Sequence, residues 1–474
     1  MNVFLISTNR NQFPMPVIPL GACMVAEAAE RAGHKVRLLD LIFEADPAGA
    51  VRRELKKEPP DVVGLSVRNI DNNDCCSPEF FIRGLLPLVE AVRASTPAPV
   101  VLGGAAVPVM PEELLRLTGA EWAVLGDGEY VFPRFLEELS RGSPKTIPGV
   151  AWLEGGVYHY NSSGAGRDGC SCDVPDLHRY IDVRRYLRRL STVPVQTKLG
   201  CQFSCVYCTY RKIEGSRYRL SDPEEVVDSV GRLTAKGFRN IEFVDNVFNA
   251  PYAHALDICR GLLRARPRAS LQSLELNPLF IDEDLISSME QAGFSGIGVT
   301  VESASDTVLE GLGKGYSVEH VYRAAEVIRR HSIPCVWIFM MGGPNEERKT
   351  VKETLRFAER VIRPHDAAFF GTGIRIYPGT ELDSLARSQG LLSLTPAEML
   401  EPVFYLSPAV EYGWMLNQIR NSMNEHMNFM SSESLSMRLL PAIHRLAYRL
   451  GIRSPLWRHT HTIRRGLRFF GMEV

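Results

Sequence analysis

Three cysteines in the run Gly200-Cys201-Gln-Phe-Ser-Cys205-Val-Tyr-Cys208 are the residues best suited to chemistry. Their spacing is C-x3-C-x2-C, with Tyr207 immediately before the last thiol. Three thiolates hold three irons of a 4Fe–4S cube and leave the fourth iron open to bind a small molecule and pass it an electron. A structural zinc site takes four protein ligands, and a two-cysteine redox motif has no need of a third thiol. Cys201, Cys205 and Cys208 are therefore the expected metal ligands.

Such a loop needs a rigid scaffold, and the surrounding pattern supplies one. From residue 191 apolar runs at 193–198, 240–244, 271–276, 296–301, 334–340 and 368–376 alternate with amphipathic stretches at 222–236, 252–266, 282–292, 318–330 and 346–361. Six strands with right-handed helical crossovers make a partial barrel, and the cysteine loop follows its first strand, at the face where barrel sites sit.

The first 142 residues show the same alternation. Strands are expected at 2–7, 35–39, 61–67, 98–102 and 121–125, with helices at 20–32, 48–57, 79–94, 111–117 and 130–139. Near-continuous apolar strands between helices imply a parallel sheet covered on both faces, which binds ligands at the carboxyl ends of its strands. Residues 143–190 read as a hairpin, 150–153 with 157–160, and a Gly/Ser-rich linker, NSSGAGRDGCSCD. Residues 396–474 read as mostly helical, with no further strands. Positions 438–474 hold eight Arg and one Glu, with Arg438, Arg445 and Arg449 opposite an apolar helical face. Such a segment suits packing on the barrel with its basic face in water, or contact with an anionic membrane.

Composition narrows the class. The 474 residues are 45% hydrophobic and 23% charged, with a formal charge of −1, so no global field draws nucleic acid. Ten cysteines in a chain of this length need no disulfide role, and cluster thiolates require a reducing, cytoplasmic setting. Cys75-Cys76 and Cys170-x-Cys172 lack a second local pair and are read as incidental thiols.

Several segments downstream of the cysteines sharpen this reading: Phe243-Val-Asp-Asn-Val-Phe248, Ser273-Leu-Glu-Leu-Asn-Pro278, Gly298-Val-Thr-Val-Glu302-Ser303, Lys314-Gly315, Met341-Gly-Gly-Pro344 and Tyr377-Pro-Gly-Thr380. In this order residues 191–395 resemble a radical S-adenosylmethionine (SAM) domain of the type related to the coproporphyrinogen oxidase and elongator families. The resemblance implies a 4Fe–4S cluster that cleaves SAM, with Tyr207, Asn246, Glu302, Ser303 and Arg375 as SAM-binding residues. Arg375 is alternatively the partner of a structural Glu302. Upstream, Pro19-Leu-Gly21, Pro60-Asp-Val-Val-Gly64, Gly103-Gly104 and Gly126-Asp-Gly-Glu129 resemble a cobalamin-binding domain. That implies corrin contacts from Arg68, Asn69, Asp71, Asn72, Gly103, Gly104, Gly126, Gly128 and Glu129. The segment after the first strand lacks the Asp-x-His-x-x-Gly pattern, and His34 is read as a surface residue. Cobalamin is thus expected without a protein imidazole on cobalt.

The expected architecture is α/β: a Rossmann-like cobalamin-binding domain (1–142), hairpin and linker (143–190), a partial (β/α)6 radical SAM barrel (191–395) and a helical C-terminal region. The function implied by the resemblance is cobalamin-dependent radical SAM methylation of an unactivated carbon, or of a phosphinate phosphorus. The acceptor is a natural-product or lipid-like small molecule, or a peptide, and an electron donor such as flavodoxin or ferredoxin is expected. Alternatives are a ring closure or rearrangement with the same cofactors, a tRNA methylthiotransferase, and a non-catalytic iron–sulfur protein.

Overall fold

The computed structural model describes residues 1–162, 170–432, 434, 439–452 and 455–470. Part of the expected Gly/Ser linker and Arg438 of the basic tail lie outside the described residues.

The first sheet has the order β2-β1-β3-β4-β5-β6-β7. Its strands are β1 (Asn2–Ser7), β2 (Lys35–Asp40), β3 (Val62–Ser66), β4 (Val100–Gly103), β5 (Trp122–Val124), β6 (Val150–Glu154) and β7 (Val157–Tyr160). The first five are mutually parallel. The β6–β7 hairpin extends the same sheet antiparallel, with Val124 opposite Val150. The expected hairpin is thus an edge of the first domain. Helices cover both faces, and β1 and β3 are almost wholly buried. Helix 79–94 begins as a 3-10 turn, Phe81–Leu85, before the α-helix Leu86–Arg93, whose first turn carries Pro87.

The second sheet contains seven parallel strands in sequence order, consistent with a partial barrel. They are β8 (Val193–Val195), β9 (Asn240–Phe243), β10 (Ser270–Leu276), β11 (Phe294–Glu302), β12 (Cys335–Met341), β13 (Ala367–Thr372) and β14 (Phe429–Ser431). Alternation along the strands divides the barrel. Trp337 and Phe339 of β12 point outward, and both rings meet Phe357 of helix Arg348–Val361 edge-on. Burying side chains of this size contributes roughly 1.5–3 kcal/mol each. The intervening residues face the lumen. Gly298 of β11 has no alternative, since a Cβ there would sit 2.4 Å from the Leu274 carbonyl oxygen.

The seventh strand corrects the expectation that strands stop near 395. Phe429 pairs with Ala368, and a short bridge of Phe404–Tyr405 with Ile374–Arg375 adds further β-structure beyond it. The rest of the C-terminal region is mainly helical, with Tyr412–Glu425, Leu440–Arg449 and Thr460–Phe469. Among the described residues no helix is long and apolar enough to cross a membrane. The last helix is pinned by Arg464, fully buried, whose guanidinium donates to the carbonyls of Met423 and Phe429.

Candidate active site

The cysteine loop leaves the barrel next to Gly200, whose φ of +86° and a Cβ position 2.0 Å from the Arg217 carbonyl oxygen admit only glycine. The Glu214 carboxylate accepts from the Gly200 N–H (3.0 Å), from Gln196 and from Asn246 Nδ2 (2.6 Å). Burial raises the Glu214 pKa, and these three donors oppose the rise. From the other side the Val206 N–H donates to the Leu312 carbonyl, and Gly313 lies so close to Ser204 that a Cβ would meet its carbonyl at 2.9 Å. Asp245, fully buried, fixes the start of the loop by accepting from the backbone of Thr197 and Lys198, the Thr197 hydroxyl and the Lys198 ammonium.

The donor set fits an iron–sulfur cube. Cys201, Cys205 and Cys208 lie within electrostatic reach of one another: after burial, each of the other two thiols contributes to pushing Cys208 up to about 11. Thiols in that setting need a cationic partner to ionise. Among the described residues no three His, Cys, Asp or Glu side chains converge on one metal ion. Ligands for three separate corners of a cube are not expected to converge in that way.

Glu302 ends β11 with a φ of +63° and is almost fully buried. Tyr207 donates its hydroxyl to Glu302 Oε1 at 2.9 Å, and Lys314 Nζ reaches both Glu302 Oε1 and the Tyr207 hydroxyl at 3.2 Å. Burial and the Glu302 charge push the Tyr207 pKa well up, so Tyr207 stays a neutral donor. Burial opposes the Lys314 charge, but Tyr207 and Glu302 hold its pKa well above the ordinary range.

Several expected cofactor contacts have other roles. Arg375 does not reach Glu302. Its Nε donates to Asp71 at 2.7 Å and its terminal nitrogens to the carbonyls of Ile376 and Met399. Both Arg375 and Asp71 are buried, so neither is free for SAM or a corrin. Ser303, fully buried, bonds Thr354 and caps the turn at Ser305. Asn72 closes its own loop, donating to Ser77 and accepting from Asp74 and Glu79. Asn246 supports the cysteine loop through Glu214.

Other sites gather at the carboxyl ends of the first sheet. At Gly103 and Gly126 an added Cβ would meet nothing within 4 Å, which leaves room for a bulky group. Gly104 instead abuts Val67, whose carbonyl oxygen would be 2.5 Å from a Cβ, and Gly128 abuts Val25. Glu129 lies in the first turn of helix Gly128–Arg141. Asp127 binds Arg219 of the strand paired with the cysteine-loop stem, so this edge faces the barrel. Arg68 keeps surface in contact with solvent, but its crowded guanidinium has a pKa lowered by burial, which Tyr210 and Glu242 of the barrel oppose. With its amide oriented to satisfy both groups, Asn69 pairs with the Arg68 carbonyl (2.9 Å) and guanidinium (3.2 Å). The loop after β1 contains no histidine. His34 precedes β2 at the opposite, amino end of the sheet, beside the chain N-terminus.

Two carboxylates were not singled out from the sequence. Glu275 is pushed up to about 8, first by burial and then by the Glu302 charge. Glu242 is raised by burial while Thr192 and Gln272 bond it. Their signal was an acidic residue inside an apolar strand run. Of the remaining thiols, Cys170 meets the Ser221 hydroxyl, Cys172 packs in the core, and Cys76 contacts Thr372 and Tyr412.

A parallel partial barrel with a three-cysteine loop on its first strand, preceded by a Rossmann-like sheet whose open edge faces it, defines a two-domain radical enzyme class. Residues 195–358 match the radical SAM superfamily and residues 6–136 match the B12 binding domain. The chain is a radical SAM protein with an N-terminal B12-binding domain, and the expected fold is borne out. It is 24% identical over 438 residues to a tryptophan 2-C-methyltransferase of Streptomyces laurentii, covering 78% of this chain and 72% of that protein. It is 27% identical to an uncharacterised methyltransferase of Pyrococcus horikoshii, over 79% of each chain. Its fold matches the radical SAM methyltransferase TsrM from Kitasatospora setae, solved with cobalamin and a [4Fe-4S] cluster, with a TM-score of 0.85, 23% identity and 99% of both chains covered.

Proposed function

We propose that this chain is a cobalamin-dependent radical SAM methyltransferase that methylates an unactivated carbon of a small organic acceptor. The observation that carries the reading is the juxtaposition of the cysteine loop with the open strand ends at Gly103 and Gly126, locked by Arg219–Asp127 and Arg375–Asp71. Its methyltransferase relatives support the transfer chemistry.

When bound, the cluster with SAM supplies hydrogen abstraction and cobalamin supplies methyl transfer. Cys201, Cys205 and Cys208 hold the iron. Glu302, oriented by Tyr207 and Lys314, accepts hydrogen bonds from SAM. Gly103 and Gly126, where an added Cβ meets nothing, would flank the corrin, with Glu129, Arg68 and Asn69 beside its cleft and Gly104 and Gly128 holding the turns behind it. Arg68 stays protonated and offers cobalt no lone pair. A cytoplasmic flavodoxin or ferredoxin is the electron source. Exposed Leu446, Leu450, Phe469 and Phe470 in the basic tail support a membrane-surface contact, which liposome flotation with and without residues 438–474 tests.

The deciding experiment is anaerobic reconstitution with iron, sulfide and cobalamin, followed by incubation with SAM, a low-potential reductant and candidate small organic acceptors. Methyl transfer produces S-adenosylhomocysteine together with deoxyadenosine. Deoxyadenosine without S-adenosylhomocysteine would show a rearrangement instead, and no SAM cleavage would overturn the reading.

A further inference from the structure

A cluster of arginines forms where three parts of the chain meet. Phe43 sits in the turn after β2. The guanidiniums of Arg185 and Arg189, from helix Val183–Leu187 and the turn that follows it, lie 4.5 and 4.4 Å from its ring centroid. A planar guanidinium stacks well on an aromatic face, so one ring holds two cations in place. Leu190, the next residue, packs with Ile443, Ala447 and Leu456 of the C-terminal region. That contact lays helix Leu440–Arg449 beside Arg189, with Arg445 near enough for its charge to act on the Arg189 guanidinium.

The cations outnumber their partners. Arg185 donates to the Phe43 carbonyl and lies 3.9 Å from Glu44, and its charge also reaches Asp40. Asp40 is itself held by the Tyr186 hydroxyl. Arg189 donates to the Arg185 carbonyl, a neutral partner. Burial lowers the Arg189 pKa, and the Arg185 and Arg445 charges lower it further, with no carboxylate among the described residues acting against them. Arg445 and Arg449 are exposed. Clustered guanidiniums repel one another, and a phosphate that accepts from several of them removes that repulsion.

The same helix narrows the source of that phosphate. Residues four apart lie on one line of a helix, so Arg445 and Arg449 form one stripe and Leu446 and Leu450 the next. Leu446 is 58% and Leu450 66% exposed. A leucine stripe beside an arginine stripe suits the surface of a bilayer, where the leucines enter the acyl boundary and the arginines stay among the headgroups. Neither a free phosphate ion nor a nucleic acid backbone would cover the leucines. The formal charge of the whole chain is −1, so the attraction belongs to this face alone.

We propose that Arg185, Arg189 and Arg445 bind the phosphate of an anionic phospholipid headgroup while Leu446 and Leu450 enter the bilayer surface. This rests on the membrane contact read from the basic tail and adds a defined site to it. The reconstituted holoenzyme is floated with phosphatidylcholine vesicles, made with and without phosphatidylglycerol. Partition into the anionic vesicles should be stronger by about tenfold or more, and should weaken as salt is added. Arg189→Gln and Arg445→Gln should each weaken it about fivefold, while iron, cobalamin and SAM binding stay at the wild-type level. Arg445 is exposed, so its replacement leaves the packing intact. Leu446→Gln with Leu450→Gln should weaken binding to both kinds of vesicle. Wild-type flotation of both arginine variants, or equal flotation with the two kinds of vesicle, overturns the headgroup site. If the leucine variant is still impaired in that case, the membrane contact itself stands. Release from the anionic vesicles by inorganic phosphate at constant ionic strength would overturn the lipid assignment in favour of a free-anion site. No flotation with either vesicle removes the membrane contact and the site together.

Discussion

Arg375 Nε donates to Asp71 Oδ2 at 2.7 Å, across 304 residues of sequence and between the barrel and the first sheet. The pair is buried, and the other Arg375 donors are held by carbonyls of the turn at 376 and the loop near 399. Removing one partner of such a pair leaves an uncompensated charge and costs about 3–5 kcal/mol. Arg375→Met should lower stability by that order in urea unfolding, and adding Asp71→Asn should recover much of it. Stability unchanged by Arg375→Met would show that the domains do not depend on this contact.

The cysteine loop depends on a backbone that only glycine adopts. Gly200→Ala places a Cβ 2.0 Å from the Arg217 carbonyl oxygen at a φ of +86°. Iron content after reconstitution should fall well below the wild-type level, while cobalamin binding persists. Cys205→Ala should give the same split by removing a ligand outright. Iron and corrin assays on the same samples check both, and joint loss would indicate general misfolding.

Lys314 balances a buried carboxylate. Lys314→Met leaves Glu302 with the Tyr207 hydroxyl and no ammonium, and SAM affinity should drop about tenfold. Tyr207→Phe removes one neutral donor and should have a smaller effect. Equilibrium binding of SAM to the reconstituted variants measures both. Equal affinity in all three proteins would place SAM elsewhere.

Glu275 makes stability depend on pH. Its pKa is raised to about 8 from an ordinary 4.5, so between those values the folded protein holds a proton that the unfolded chain releases. This group therefore favours folding less as pH rises from about 5 to 8, and its penalty is fully present above 8. Glu275→Gln should flatten that decline and raise the melting temperature at pH 8 by ~2 °C or more relative to wild type. Melts of the metal-free protein at pH 6 and pH 8 decide it; parallel declines in both proteins would exclude Glu275 as the source.

Much of the fold was legible in the sequence because buried parallel strands are apolar throughout and their helices carry a separate period. The triplet Cys201, Cys205 and Cys208 was legible because its spacing is local. Arg375 was misread because its partner is chosen by domain docking, which no local pattern records. Ser303 has the residue type of a ligand contact, but its hydroxyl is held by Thr354 in a buried turn. The strand Phe429–Ser431 escaped notice because three residues between Asn428 and Ser432 are too short for periodicity to show.

That late strand has a consequence for synthesis on the ribosome. The edge of β13 at Ala368–Phe370 acquires its neighbour only when residues some sixty positions later emerge. Until then the growing chain carries an unpaired strand edge, a template for mispairing with another nascent chain. The cysteine loop is made much earlier, so the ligands exist before their barrel is complete. Supplying a chaperone should raise the soluble yield more than conditions that merely supply iron.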